Sequence, residues 1–314
     1  MAEVLRPMST GELLDRTFSL YKRHFLLFVG IAVPAPAVYL VIQLASAGIT
    51  KFGATPAAGI SRFNTAAIVG LVVTIVLGVL GWMLGLALTH AATIRAVSAV
   101  HLGRPISVRG SYAELRGHYW RIINVFVSVA LRVFGGSILL YMVAGVVAAL
   151  AIGGAAVLGT VATIIGVIVA LAAVVAAVTL AVSLFVRYSL AIQACIVEDI
   201  PARQALKRSV FLAKGSRSRI LTVYVLFVVI NVAMAFTLAF GLGGLAAMSK
   251  SVQVITAVDA LATFIAGVLT GPLATVAISL VYYDERVRKE AFDLQLMMTV
   301  LDGPAANAAT SATS

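Results

Sequence analysis

From Ile220 to Ala247 the chain carries no charged residue. At about 1.5 Å per helical residue that stretch is roughly 40 Å long, against a bilayer hydrocarbon core of about 30 Å. The segment before it, Pro201 to Arg219, has the opposite character. Ala202, Leu206, Val210 and Ala213 share one side of a helix, Arg203, Lys207 and Lys214 take the other, and the run ends in Lys214, Arg217 and Arg219. A basic amphipathic helix feeding an uncharged span leaves few folds open. Composition agrees: 61% of the 314 residues are hydrophobic and 11% charged, with a mean hydropathy of +1.07. Soluble domains run about 45–50% apolar and about 25% charged.

The same plan occurs three times. Apolar blocks cover about 25–48, 66–90, 120–152, 159–186, 219–246 and 253–283, and amphipathic segments at about 9–24, 107–118 and 202–214 precede the three pairs. The first of these opens with Ser9-x-x-Glu12, a capping-box spacing, and carries a Leu14, Phe18, Tyr21 and Phe25 stripe. Pro34 and Pro36 predict a kink in the first span, and Gly267-x-x-x-Gly271 with Pro272 predicts a close contact and a kink in the sixth. Gly70, Thr74, Gly78, Gly81 and Gly85 give the second span a small-residue face. The third block is too long for a perpendicular span, so it tilts, bends near Gly135-Gly136 or begins along the interface; a turn is expected at Gly153-Gly154. Tyr282 and Tyr283 fall where an aromatic belt is expected, followed by an exposed helix over 284–298. The reading is an all-α polytopic membrane protein: six spans in three hairpins, one membrane domain over 1–302 and a disordered tail over 303–314.

Charge fixes the sides. The segments 1–24, 91–121, 187–219 and 284–314 hold 19 of the 23 Lys and Arg, whereas the opposing loops hold only Lys51, Arg62 and Lys250. The rule that cytoplasmic loops carry the excess of basic residues puts the amphipathic helices and both termini in the cytoplasm, in a cell membrane. The first 24 residues carry seven charges and no apolar core of a signal peptide, which favours an uncleaved first span over cleavage after Ala45-Ser46-Ala47. The net charge of +11 is spent beside hydrophobic spans, so it points to anionic lipid headgroups and not to nucleic acid. Candidate headgroup contacts are Lys22, Arg23, Arg116, Arg121, Lys207, Arg208, Lys214, Arg217 and Arg219.

Arg132 and Asp259 are the charges inside apolar blocks, about 12 and 7 residues into theirs, where an ionisable group costs about 2.5–3.5 kcal/mol. They form a candidate intramembrane pair, a substrate or proton site. The alternative is that Gly135-Gly136 starts the true span and Arg132 snorkels at the interface. His24, His90, His101 and His118 have no metal-ligand spacing, the single Cys195 forms no internal disulfide, and neither a nucleophile motif nor a phosphate- or dinucleotide-binding loop occurs. No cofactor and no enzymatic reaction are expected.

Leu5-Arg6-Pro7-Met8-Ser9-Thr10-Gly11-Glu12-Leu13-Leu14-Asp15-Arg16, Ala205-Leu206-Lys207-Arg208-Ser209 with Lys214-Gly215, and Tyr282-Tyr283-Asp284-Glu285-Arg286-Val287-Arg288-Lys289-Glu290-Ala291-Phe292-Asp293-Leu294 resemble the bacterial membrane domain of the glycerophosphoryl diester phosphodiesterase family. In some members that domain is fused to a catalytic barrel with a His-Arg-Gly start; here Arg116-Gly117-His118 has another order and no barrel follows. The resemblance therefore implies a stand-alone membrane domain without the phosphodiesterase activity. The expected function is a non-enzymatic module that organises or anchors lipids or partners, a membrane protein or a second copy among them, at the cytoplasmic face. The alternative is a small permease or lipid-handling transporter working near Arg132 and Asp259.

Overall fold

The computed structural model of the protein describes residues 8–57, 60–63, 65–101, 103–248 and 251–290. It is all-α apart from one short antiparallel ladder, and the helices α1 to α12 follow in chain order. They divide between two compact units, one drawn from Met1–Tyr119 and Thr222–Asp284, the other from Trp120–Leu221 and Glu285–Ser314. The division falls within the last two helices.

In the first unit, α1 (Thr10–Arg23) starts where the capping box predicts: Ser9 Oγ accepts from the Glu12 amide at 3.2 Å, and Glu12 Oε2 accepts from the Ser9 amide at 2.7 Å. The face it buries is Leu13, Thr17 and Tyr21, while Phe18 and Phe25 of the predicted stripe stay exposed. The Tyr21 hydroxyl donates to the Leu269 carbonyl at 2.7 Å, and burial pushes its phenol up to about 12, so it remains a donor. Next come α2 (Phe25–Ala32) and α3 (Pro34–Gly53), bent by 42° at Val33. Proline supplies no amide to the preceding turn. At this break the Tyr112 hydroxyl donates to the Ile31 carbonyl at 2.7 Å.

The strands β1 (Ala54–Ala57) and β2 (Ile60–Phe63) pair Ala54 with Phe63 and Ala57 with Ile60. The second apolar block and part of the polar stretch after it form one helix, α4 (Thr65–His101). Its last turns bury Ala91, Ala92, Ile94, Ala96 and Val97. The small-residue face seats α3: a Cβ on Gly78 would lie 2.5 Å from Ile42 Cγ1, and one on Gly85 would lie 3.1 Å from Ala35 Cα. The amphipathic segment that follows is the short α5 (Val108–Ala113), capped by Ser107.

In the second unit the third apolar block has three parts: α6 (Tyr119–Ala130), a π-helical turn over Leu131–Gly135, and α7 (Gly136–Leu158). Only α6 is amphipathic, burying Ile122 and Val125 while Trp120 stays exposed. The turn expected at Gly153-Gly154 lies at Gly159, which takes φ +99°, a conformation L side chains rarely adopt. The paired glycines stay helical, as glycine often does in membrane helices. The chain then returns through α8 (Thr160–Tyr188), whose buried face is Gly166, Ala170, Ala177 and Ala181. Two short helices follow, α9 (Ala191–Val197) and α10 (Ala202–Ala213).

The third hairpin is α11 (Arg217–Ala247) and α12 (Val252–Glu290). Within the first unit, Asn231 on α11 donates to Thr270 Oγ1 on α12 at 2.5 Å. Tyr282 and Tyr283 are buried and do not form an aromatic belt; Tyr283 bonds to Ser98 at 2.5 Å and stacks on His101. The helix beyond them is not exposed at its start either. Asp284 accepts from the Met8 amide at 2.6 Å, and Asp284 and Glu285 are buried. The predicted continuation to 298 and the tail 303–314 lie outside the described residues.

Among the described residues five helices are long and apolar enough to cross a membrane, or six when the bent α2–α3 pair is counted as one span. In the best apolar window of α4 only 6% of residues are buried, and Leu77, Leu158 and Phe240 stand 64, 79 and 77% exposed. Apolar surface on this scale is stable in lipid and not in water. The protein is membrane-embedded.

Candidate functional site

The predicted basic helix α10 is held in place by a serine. Ser209 is fully buried; its hydroxyl donates to the Arg187 carbonyl at 2.9 Å and accepts from the Leu190 amide at 3.1 Å. It thereby ties α10 to the end of α8 and the start of α9, and satisfies two backbone groups that the helix break leaves without partners. This fixes Arg187 and Tyr188 against the basic side of α10.

The result is a cavity of about 610 Å³, lined by Arg132, Arg187, Tyr188, Arg203, Gln204, Leu206, Lys207 and Val210. Arg132 comes from the π-helical turn, at the junction where amphipathic α6 gives way to apolar α7, and its Nη1 donates to the Ser128 carbonyl at 3.0 Å. Among the described residues, four cations line the cavity and no carboxylate does. None of the four forms an ion pair among the described residues.

The described carboxylates of this unit are engaged elsewhere. Asp199, held at φ +57°, pairs with Arg121 at 3.0 Å. Glu198 accepts from Arg208 Nε at 2.9 and 3.0 Å and lies 3.6 Å from Arg286 Nε. Glu290 binds Arg208 and Arg286. Burial pulls the Arg208 guanidinium down, but the hydrogen bonds and charges of Glu290 and Glu198 more than offset it and hold the group above its ordinary value. Glu285, fully buried, accepts from Ser216 Oγ at 2.6 Å and pairs with Arg219 and Lys289, each at 3.4 Å. Lys289 also donates to the carbonyls of Phe211, Leu212 and Lys214, placing a cation on the negative end of α10. Among the described residues of the unit, every carboxylate is thus paired, and none with a cation of the cavity.

The residues the sequence singles out therefore sort into different surroundings. Lys207 lines the cavity. Arg121, Arg208 and Arg219 hold internal ion pairs. Lys22, Arg23, Arg116, Lys214 and Arg217 are exposed. Arg187 and Arg203 also line the cavity, beyond the headgroup contacts expected from sequence; the signal for Arg203 is its position on the polar side of α10 with Lys207. Asp259 belongs to the first unit, exposed, one turn before Thr263.

The first unit has its own cavity, about 440 Å³, with Tyr39, Trp82, Thr89, His90, Thr93 and Thr275 among its lining residues. His90 Nδ1 and Thr275 Oγ1 are 2.8 Å apart, and Thr93 Oγ1 donates to the Thr89 carbonyl at 2.8 Å. Pro36 and Pro272 form part of the wall, and Gly267 lets α12 approach Pro36, where a Cβ would lie 3.1 Å from Cγ. No Asp, Glu, Lys or Arg lines this cavity, which suits an uncharged, largely apolar occupant. No protein-family model, curated protein or solved structure matches the chain.

Proposed function

We propose that the protein is a non-enzymatic membrane module that gathers anionic lipid headgroups at the cytoplasmic face of a cell membrane. The observation that carries this reading is the cavity of four cations without a carboxylate. A juxtamembrane Lys or Arg gains about 1 kcal/mol near an anionic surface, and Arg forks bind phosphate oxygens in pairs. The distribution of basic residues supports the orientation, since 19 of 23 fall on the side of α10. The likeness to stand-alone membrane domains of the phosphodiesterase family fits a lipid-facing role without the family's catalysis. Extraction in mild detergent, followed by analysis of the lipids retained, tests the reading. Enrichment of anionic over zwitterionic lipid relative to the source membrane is expected, and retained lipid of bulk composition would refute it.

A second reading, a small lipid-handling permease, is favoured by the first unit's cavity, whose walls are the broken α2–α3 pair and neutral hydrogen-bonding side chains. On this reading Asp259 sits one turn from the cavity wall at Thr263. Asp259→Asn should abolish proton-coupled uptake into proteoliposomes without lowering expression, and undiminished uptake would remove that residue from the mechanism.

A further inference from the structure

We propose that the cavity of the second unit selects a phosphoryl group bearing two negative charges, a phosphomonoester, over the singly charged phosphodiester of most anionic lipids. The inference rests on the headgroup reading above and narrows it.

Charge is the first argument. Arg132, Arg187, Arg203 and Lys207 line one cavity, and the described carboxylates of the unit, Glu198, Asp199, Glu285 and Glu290, are committed to other cations. A phosphodiester brings one negative charge and leaves most of this repulsion standing. A phosphomonoester near pH 7 brings about 1.5 to 2, with three acceptor oxygens.

Helix placement is the second. Arg203 lies in the first turn of α10, where the helix dipole disfavours a cation, and that turn holds no acidic residue to compensate. The arrangement becomes favourable once an anion occupies the same end. Chemistry is the third. Three planar guanidinium forks and one ammonium suit the three unesterified oxygens of a terminal phosphate, whereas a diester leaves only two. Tyr188 and Gln204 add neutral donors, and Leu206 and Val210 give the cavity an apolar wall. The phosphate can belong to a lipid or to a soluble ester, since the recognising chemistry is the same.

The test uses the full chain in nanodiscs of phosphatidylcholine doped with phosphatidate, a monoester, or with phosphatidylglycerol, a diester. Glycerol 3-phosphate and inorganic phosphate form a soluble arm. Binding is read by native mass spectrometry and by the shift in thermal midpoint. Phosphatidate should bind about tenfold more tightly than phosphatidylglycerol at pH 7.5. The preference should shrink at pH 5, where the monoester, with a second pKa of about 6, loses its second charge. The titratable groups that line the cavity are Arg132, Arg187, Tyr188, Arg203 and Lys207, with no histidine or carboxylate among them. Arg203→Gln with Lys207→Gln should remove the preference, while Arg104→Gln with Arg109→Gln, two exposed arginines outside the cavity, should not.

Equal binding of both anionic lipids would overturn the monoester selection and leave the headgroup reading standing. Binding no tighter to either than to phosphatidylcholine would overturn both. A preference untouched by the cavity substitutions would overturn the location. Tight binding of glycerol 3-phosphate with no gain from the lipid form would keep the chemistry and assign the source to a soluble ester.

Discussion

Arg203 and Arg208 both stand on α10, yet one lines an open cavity with three other cations while the other lies between Glu198 and Glu290. The paired group, Arg208, Arg219, Arg286 and Lys289 with Glu198, Glu285 and Glu290, binds the start of the C-terminal segment to α10 and α11. Its charges are partly buried, and its value is positional. Among the described residues the cavity group has no internal counter-charge. Charges that a fold keeps without using are available for a ligand.

That contrast can be broken at its strongest point. Glu285→Gln leaves Arg219 and Lys289 without their fully buried partner and should cost about 3–5 kcal/mol, read as a large drop in thermal midpoint in detergent. A midpoint unchanged by this substitution would show that the paired group is not structural. Ser209→Ala comes next. It strips the Leu190 amide and the Arg187 carbonyl of their shared partner and should cost about 1–3 kcal/mol, with loosened proteolytic protection of the α8–α10 region. The cavity substitutions should have the smallest effect and the opposite sign. In lipid-free detergent at low salt, Arg203→Gln should raise stability by about 0.3–1 kcal/mol, because it removes a cation from a helix N-terminus. A clear loss of stability there would erase the distinction between the two groups.

The parts of this structure legible in the sequence are those set by neighbours along the chain. Hydropathy marks the apolar blocks, Ser9 and Glu12 mark the start of α1, and the basic side of α10 is readable from its period. Other features depend on what packs where. Gly153-Gly154 looks like a turn and is helical, while Gly159 bears the positive φ. Ala91, Ala92 and Ala96 lie among Arg95 and His101 in a stretch that reads as polar, yet they are core. The tyrosines 282 and 283 have the chemistry of an interfacial belt, but partners on α4 bury one of them by name: Ser98 and His101 hold Tyr283.

The cavity is the least legible feature. Nothing local links Arg132, Arg187 and Arg203; a buried serine hydroxyl at Ser209 and the π-helical turn bring them to one place. Arg132 stands in the π-helical turn between amphipathic α6 and apolar α7, within the stretch Tyr119–Gly154 that is long and apolar enough to cross a membrane.

The central claim, that the cavity cations are kept for an anion, is tested most directly by one paired measurement. The thermal midpoints of the natural chain and of the Arg203→Gln, Lys207→Gln variant are compared in phosphatidylcholine nanodiscs with and without anionic lipid. The account predicts that anionic lipid raises the midpoint of the natural chain and leaves that of the variant nearly unmoved. An equal rise in both would contradict it.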